Sequence, residues 1–225
     1  MKIFLVSATS AEIEPFLHRA SFRKKLASGK ERFAYGKAII DVLITGVGMV
    51  PTAFWMAKSL YKENYDVAIN VGIAGSFSTG LQIGEIVNVV SDRFSEIGAE
   101  SGEQFLSLID LKLLEDDKAF ATNNELVNSS VFESKTINSL KKVKGITVNT
   151  VHGCNDSIQK VRKLFHPDVE SMEGAAFLYV CLNERIQCLQ LRAISNYIET
   201  RNKEKWNIPL AIRNVNNALF MILDE

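Results

Sequence analysis

Cysteine is scarce: the 225-residue sequence holds three, Cys154, Cys181 and Cys188. An odd number without C-x-x-C spacing excludes a disulfide framework and argues against a zinc site. Net charge is missing as well, because 26 Lys and Arg balance 26 Asp and Glu. Without a global positive field the drive for nonspecific nucleic-acid binding is absent, and a small-molecule partner is favoured. Long hydrophobic runs are also lacking. The N-terminal run Ile3 to Val6 is too short for a signal-peptide core or a membrane span. The expectation is a cytoplasmic protein with no membrane partner, no metal and no cofactor.

What is present is apolar content in short blocks. Hydrophobic residues make up 47% of the chain, enough for one sizeable core, so residues 1–225 are expected to form a single domain. Residues 3 to 8, "RFAYGKAIIDVLITGVG", "YDVAINVGIAGSFSTG", 83 to 91, "GITVNTVHG" and "QCLQLRAIS" read as strands. Helical spacing follows Thr9 and Ser10, and recurs over 49–63, 156–165, "EGAAFLYVCLNERI" and 208–223. Residues 92 to 140 are polar and mixed, with a helical signal near 105 to 115. Continuous apolar strands alternating with helices predict a three-layer α/β/α fold around a mixed central sheet.

Ligands of such sheets sit beyond the carboxyl ends of the strands. Three polar groups stand out at those ends: Glu12, Glu173 and Asn196. A carboxylate there can take a proton or hold two adjacent hydroxyls, and an amide can donate and accept at once. On local pattern alone each has a plainer reading. Glu12 and Glu173 suit the first turn of a helix, and Asn196 suits a turn. Only their joint placement argues for a sugar-and-base site. His152, near a strand end, reads more readily as structural, and Trp206, Phe177 and Tyr179 as core or interface.

In order and spacing, "ITGVGMVPTAFWMAKSL", "DVAINVGIAGSFSTGLQIGEIV", "ESMEGAAF" and "RAISN" resemble the nucleoside phosphorylase and nucleosidase superfamily. The resemblance covers nearly the whole chain and is weakest over 92 to 145. The stretch "RAISNYIETRNKEKWNIPLAI" is most similar to the superfamily's futalosine-hydrolysing branch. This implies a nucleoside phosphorylase-like fold, hydrolysis of an N-glycosidic bond to release hypoxanthine, a place in an alternative menaquinone pathway, and a homodimer. By position, the resemblance makes Glu12 the activator of water, Met172 and Glu173 the ribose holders, and Asn196 the purine reader. Relatives acting on methylthioadenosine have Asp where this chain has Asn196.

That difference carries a chemical argument. Hypoxanthine offers two acceptors on one edge, N7 and O6, and an amide NH2 can donate toward both, whereas a carboxylic acid would oppose a lone pair to O6. Asn196 would therefore stabilise a departing 6-oxopurine without acting as an acid. Glu14 rivals Glu12 as the base. The loop "GIAGS" should bring backbone at Ala74 and Gly75 near the ligand, since glycine permits close approach. Arg201, in the charged run "RNKEK" that otherwise reads as a solvated face, would suit the carboxylate on the substrate's 5′ extension. The first loop, "SATSAEIE", lacks the Gly-rich, Arg-containing phosphate cradle of related phosphorylases, which favours hydrolysis. The alternatives are a methylthioadenosine/S-adenosylhomocysteine-type nucleosidase, a purine nucleoside phosphorylase, and a noncatalytic purine-nucleoside sensor.

Overall fold

A computed structural model describes residues 1–26, 29–61, 63–102, 104–114, 119 and 125–225. The first strand, β1 (Lys2–Ser7), shows how the layers arise. Ile3 and Leu5 pack into one core cluster and Phe4 and Val6 into another, all essentially without exposure. A strand that is apolar on both faces belongs in the middle of a sheet covered on both sides.

After a 3-10 turn (Ala11–Ile13), α1 (Glu14–Arg19) leads into β2 (Ser21–Lys25), β3 (Glu31–Tyr35) and β4 (Ala38–Ile44). Gly36, with φ of 54°, makes the β3–β4 turn expected from the sequence. Then come α2 (Met49–Leu60), β5 (Val67–Ser76), β6 (Ile86–Asp92), β7 (Gly98–Ser101), β8 (Gln104–Ser107), β9 (Leu126–Val127) and α3 (Lys135–Ser139). The chain continues through β10 (Lys141–Thr147), α4 (Asn155–Phe165), β11 (Val169–Ser171), α5 (Gly174–Asn183), β12 (Cys188–Tyr197) and α6 (Ile208–Leu223).

The main sheet runs β11-β10-β6-β12-β5-β1-β4-β3-β2, with β9 paired to β6. It is mixed: β1 is parallel to β4 and β5, and β12 is parallel to β5 but antiparallel to β6. β11 also pairs antiparallel with β5, so β5, β12, β6, β10 and β11 close into a ring. One face is covered by α1 and α6 through Phe16, Ala211, Val215 and Leu219, the other by α2 and α5 through Met56, Leu60, Phe177 and Leu178. α4 packs separately, with Ile158 and Val161 against Ile146 and Ile198. Burying a ring such as Phe177 contributes about 2–3 kcal/mol, which is why nearly every apolar position of α5 turns inward.

Two expectations are corrected. The helix near 105 to 115 is absent over 105–114, and residue 115 lies outside the described residues. β8 pairs with β7, and residues 108–112 form turns. Asp110 Oδ2 accepts from Ser107 N at 2.8 Å and Ser107 Oγ at 2.7 Å, a local side-chain turn that competes with helix propagation. A Cβ on Gly98 would come within 2.3 Å of the Leu106 carbonyl, so glycine is what allows this hairpin. The second correction concerns β12, which does not stop before Asn196. A register shift between Ile194 and Asn196 carries the strand on to Tyr197.

Candidate active site

The carboxyl ends of β1, β5 and β12 open onto a cavity of about 310 Å³. Glu12, Ala74, Gly75, Met172, Glu173 and Asn196 all line it. Glu14 does not; it is exposed on α1, two residues beyond Glu12.

Glu12 is held from the loop that follows β1. Its Oε2 accepts from Thr9 N and Thr9 Oγ1, both at 3.0 Å, and from Ser7 Oγ at 3.3 Å. Among the described residues, Oε1 accepts only from Ile73 N, at 3.2 Å. A carboxylate has about four lone-pair sites, so Oε1 is the oxygen with room for a further donor such as water. Thr9 thus serves as the anchor of the acidic side chain itself. The "GIAGS" segment, expected as a loop, is the end of β5, and its Ile73 amide holds Glu12, while Ala74 and Gly75 line the cavity.

Glu173 precedes the first residue of α5 and is buried. Its Oε1 accepts from Gly48 N at 2.9 Å, in the loop before α2. Gly48 has φ of 102°, a conformation only glycine adopts easily, and this aims its N–H at the carboxylate. Burial raises the Glu173 pKa, and Arg192 and the Gly48 N–H oppose the rise.

Arg192 is fully buried between the acidic groups. Nη1 donates to the Leu191 carbonyl at 3.0 Å, and Nη2 donates to Asn70 Oδ1. Burial lowers its pKa, while Glu173, Glu12 and Asp92 raise it. The same guanidinium sits behind Gly72, where a Cβ would stand 3.5 Å from Nη1 and 2.9 Å from Glu12 Oε1. Sequence reading passed over Arg192 as one cation in an apolar strand. The signal was available, since a lone Arg in a central strand must be paired.

On the far side, Ser195 Oγ donates to Asn196 Oδ1 at 2.7 Å, with the Ala74 carbonyl a second acceptor at 3.2 Å, so the amide turns its oxygen rather than its nitrogen toward Ser195. Asn196 Nδ2 donates one hydrogen to the Tyr197 carbonyl at 3.1 Å. A single N–H therefore remains for a base, not the two expected from the sequence.

His152 also lines the cavity, together with Glu170. The His152 backbone N donates to Glu170 Oε1 at 2.9 Å, and Nδ1 pairs with Oε2. The hydrogen bond to Glu170 raises the His152 pKa. Neither residue had been assigned to the site. They lie 18 positions apart and meet only through β10 and β11 pairing side by side. Trp206 lines the cavity too, and the Arg201 guanidinium lies over it, 5.1 Å from the ring centroid. Arg201 itself stands outside the lining. Phe177 lies in the core, as expected from the sequence.

This arrangement combines a carboxylate with a free lone pair, a second buried carboxylate, an oriented amide and apolar walls. It matches what cleavage of a sugar–base bond requires. Residues 2–225 match the sequence profile of the Phosphorylase superfamily, and the chain belongs to that superfamily. A futalosine hydrolase of Acidothermus cellulolyticus is 27% identical over 225 residues, covering 97% of this chain and 88% of that protein. An aminodeoxyfutalosine nucleosidase of Campylobacter jejuni is 23% identical, covering 87% and 86% respectively. Among solved structures, the futalosine hydrolase of Helicobacter pylori superposes with a TM-score of 0.78 at 17% identity, covering 100% of this chain and 97% of that one. Its fold is the fold described above.

Proposed function

We propose that this chain is a nucleosidase that hydrolyses the N-glycosidic bond of futalosine, releasing hypoxanthine and dehypoxanthine futalosine. The observation that carries the reading is Asn196, an oriented amide facing the same cavity as Glu12 and Glu173. The relatives named above act in the same chemical class.

As the C1′–N9 bond stretches, positive charge develops on the ribose and negative charge on the purine. Glu12 Oε1 takes a proton from a water as its oxygen bonds to C1′, a contribution of typically two to four powers of ten in rate. The remaining lone pairs of the Glu173 carboxylate and the flank of Met172 hold the ribose hydroxyls and ring. The remaining Asn196 N–H stabilises the departing base, which takes its proton from solvent, because an amide has none to give. Ala74 and Gly75 form the floor, and Arg201, braced on Trp206, meets the carboxylate of the 5′ extension.

A homodimer fits the same reading. Val47, Val50, Phe54 and Tyr61 form an exposed stripe at helical spacing along and beside α2, and Val47 also lines the cavity. Sedimentation at micromolar concentration would report a single-chain mass if this is wrong. Placement in an alternative menaquinone pathway and in the cytoplasm follows from the substrate.

The deciding assay incubates the protein with futalosine in phosphate-free buffer. Hypoxanthine release at catalytic enzyme concentration is expected. An absolute need for phosphate would make the enzyme a phosphorylase, faster cleavage of methylthioadenosine would make it an adenine-type nucleosidase, and tight hypoxanthine binding without turnover would make it a sensor.

A further inference from the structure

Three acceptor and donor positions define the edge of a 6-oxopurine: N7 and O6 accept, and N1–H donates. Asn196 has one N–H left, and the single Ser195 hydroxyl hydrogen goes to protein acceptors, Asn196 Oδ1 at 2.7 Å or the Ala74 carbonyl at 3.2 Å. That one N–H addresses the N7/O6 edge, and the N1–H needs an acceptor from elsewhere. A buried N–H without an acceptor costs about 1–3 kcal/mol, so a site that binds this base must supply one.

The sheet presents such an acceptor opposite Asn196. Gly75 of β5 is flanked on one side by Asn196 of β12 and on the other by Glu170 of β11, each in direct register with it. Neighbouring strands lie about 4.8 Å apart, so the two flanking backbones stand roughly 10 Å apart across Gly75. That span accommodates a purine edge with a hydrogen bond at each end. Gly75 keeps the floor between them open, because a Cβ there would come within 2.9 Å of Ile198 Cγ1 and 3.3 Å of Asn196 Nδ2.

Glu170 is built to accept. Its side chain is 3% exposed and lines the cavity. His152 holds it through a backbone N–H on one oxygen and the ring Nδ1 on the other. Each oxygen thus keeps a lone pair for another donor.

We infer that the Glu170 carboxylate, oriented by His152, accepts the N1–H of the purine and is a second determinant of 6-oxopurine specificity beside Asn196. The inference rests on the proposed function for its substrate class. Adenine, whose N1 is an acceptor, would set a lone pair against the carboxylate. Both flanks of Gly75 then discriminate in the same direction.

The test uses free bases and calorimetry, apart from any turnover assay. The wild-type protein should bind hypoxanthine about 10- to 100-fold more tightly than 1-methylhypoxanthine, which has lost only the N1–H, as befits a hydrogen bond to a charged group. Glu170→Gln, with folding checked by circular dichroism, should bring that ratio below threefold and narrow the preference for hypoxanthine over adenine. Equal wild-type affinity for hypoxanthine and its 1-methyl derivative overturns the inference even if the variant fails to fold. An undiminished ratio in folded Glu170→Gln overturns it as well. Absence of any hypoxanthine binding removes the substrate class, and the inference falls with it. Hypoxanthine binding with an equal ratio leaves the proposed function standing and removes only the role of Glu170.

Discussion

Glu12 Oε1 rests directly over the backbone of Gly72, so closely that a Cβ added there would stand 2.9 Å from it. A methyl group at position 72 would push the carboxylate away, and little else. The atom displaced is the far end of a flexible side chain, so the fold should tolerate the change. Gly72→Ala is expected to leave the melting temperature within a few degrees and to lower kcat tenfold or more, since small misplacements of a reacting group are costly in rate. Glu12→Gln should retain ligand binding and lose turnover by about two powers of ten or more. Full activity in both variants would remove Glu12 from the reaction.

Asn196→Asp alters the atom facing the base while keeping its shape. The expected result is a lower kcat/KM for futalosine and a higher one for its 6-amino counterpart. A change of about tenfold in the ratio corresponds to roughly one hydrogen bond gained or lost at a buried position. Competition between the two substrates in one vessel measures the ratio directly, and an unaltered ratio would refute selection by the amide.

Much of this site could be read along the chain, and the reason is local. Glu12 and Asn196 lie after or at the end of an apolar strand, where an isolated polar residue is conspicuous, whereas Met172 and Glu173 were legible from the "ESMEGAAF" run. The strands themselves were legible because blocks such as Val67 to Ile73 are almost continuously apolar, with Asn70 the one polar side chain. β2 was not, since all five of its residues are exposed and it has no apolar alternation. β11 was too short to show a period, and with it the His152–Glu170 pair was missed. β8 and the turn after it read as helical because a few apolar residues near 105 to 111 mimic helical spacing, while the Ser107–Asp110 turn that decides the outcome is polar.

Arg201 offers a separable test of the 5′ extension. Its guanidinium lies on Trp206 at the edge of the cavity, away from the reacting atoms. Arg201→Met keeps the apolar stem and removes the charge. KM for futalosine should rise about tenfold, the worth of one exposed-to-half-buried ion pair, while cleavage of inosine, which lacks the carboxylate, should not change. Equal effects on both substrates would make Arg201 structural.

Asp92 gives a pH dependence that owes nothing to catalysis. It is buried beneath α5, accepting from Gln190 Nε2 at 3.0 Å and Thr147 Oγ1 at 3.0 Å. Burial pushes its pKa up to about 6 from an ordinary value near 3.8. A carboxyl whose pKa is raised on folding binds protons more tightly when native, so its contribution to stability falls as pH rises from about 4 to 6 and is then constant. Asn in its place does not titrate there. The difference in melting temperature, Asp92→Asn minus wild type, should therefore grow between pH 4 and 6 and level off above. A flat difference would show that Asp92 keeps an ordinary pKa.

The position of β12 has a consequence for how the protein comes to exist. β5 and β6 follow one another along the chain, yet β12, made well after both, lies between them. Until it inserts, the sheet has an open seam at its centre, and both Gly75 and Asn196 lack their neighbours. Assembly is thus ordered by long-range pairing, which slows folding. During synthesis the binding pocket stays unfinished until β12 slides home, so a nascent chain carries the parts of the enzyme long before it can hold a nucleoside.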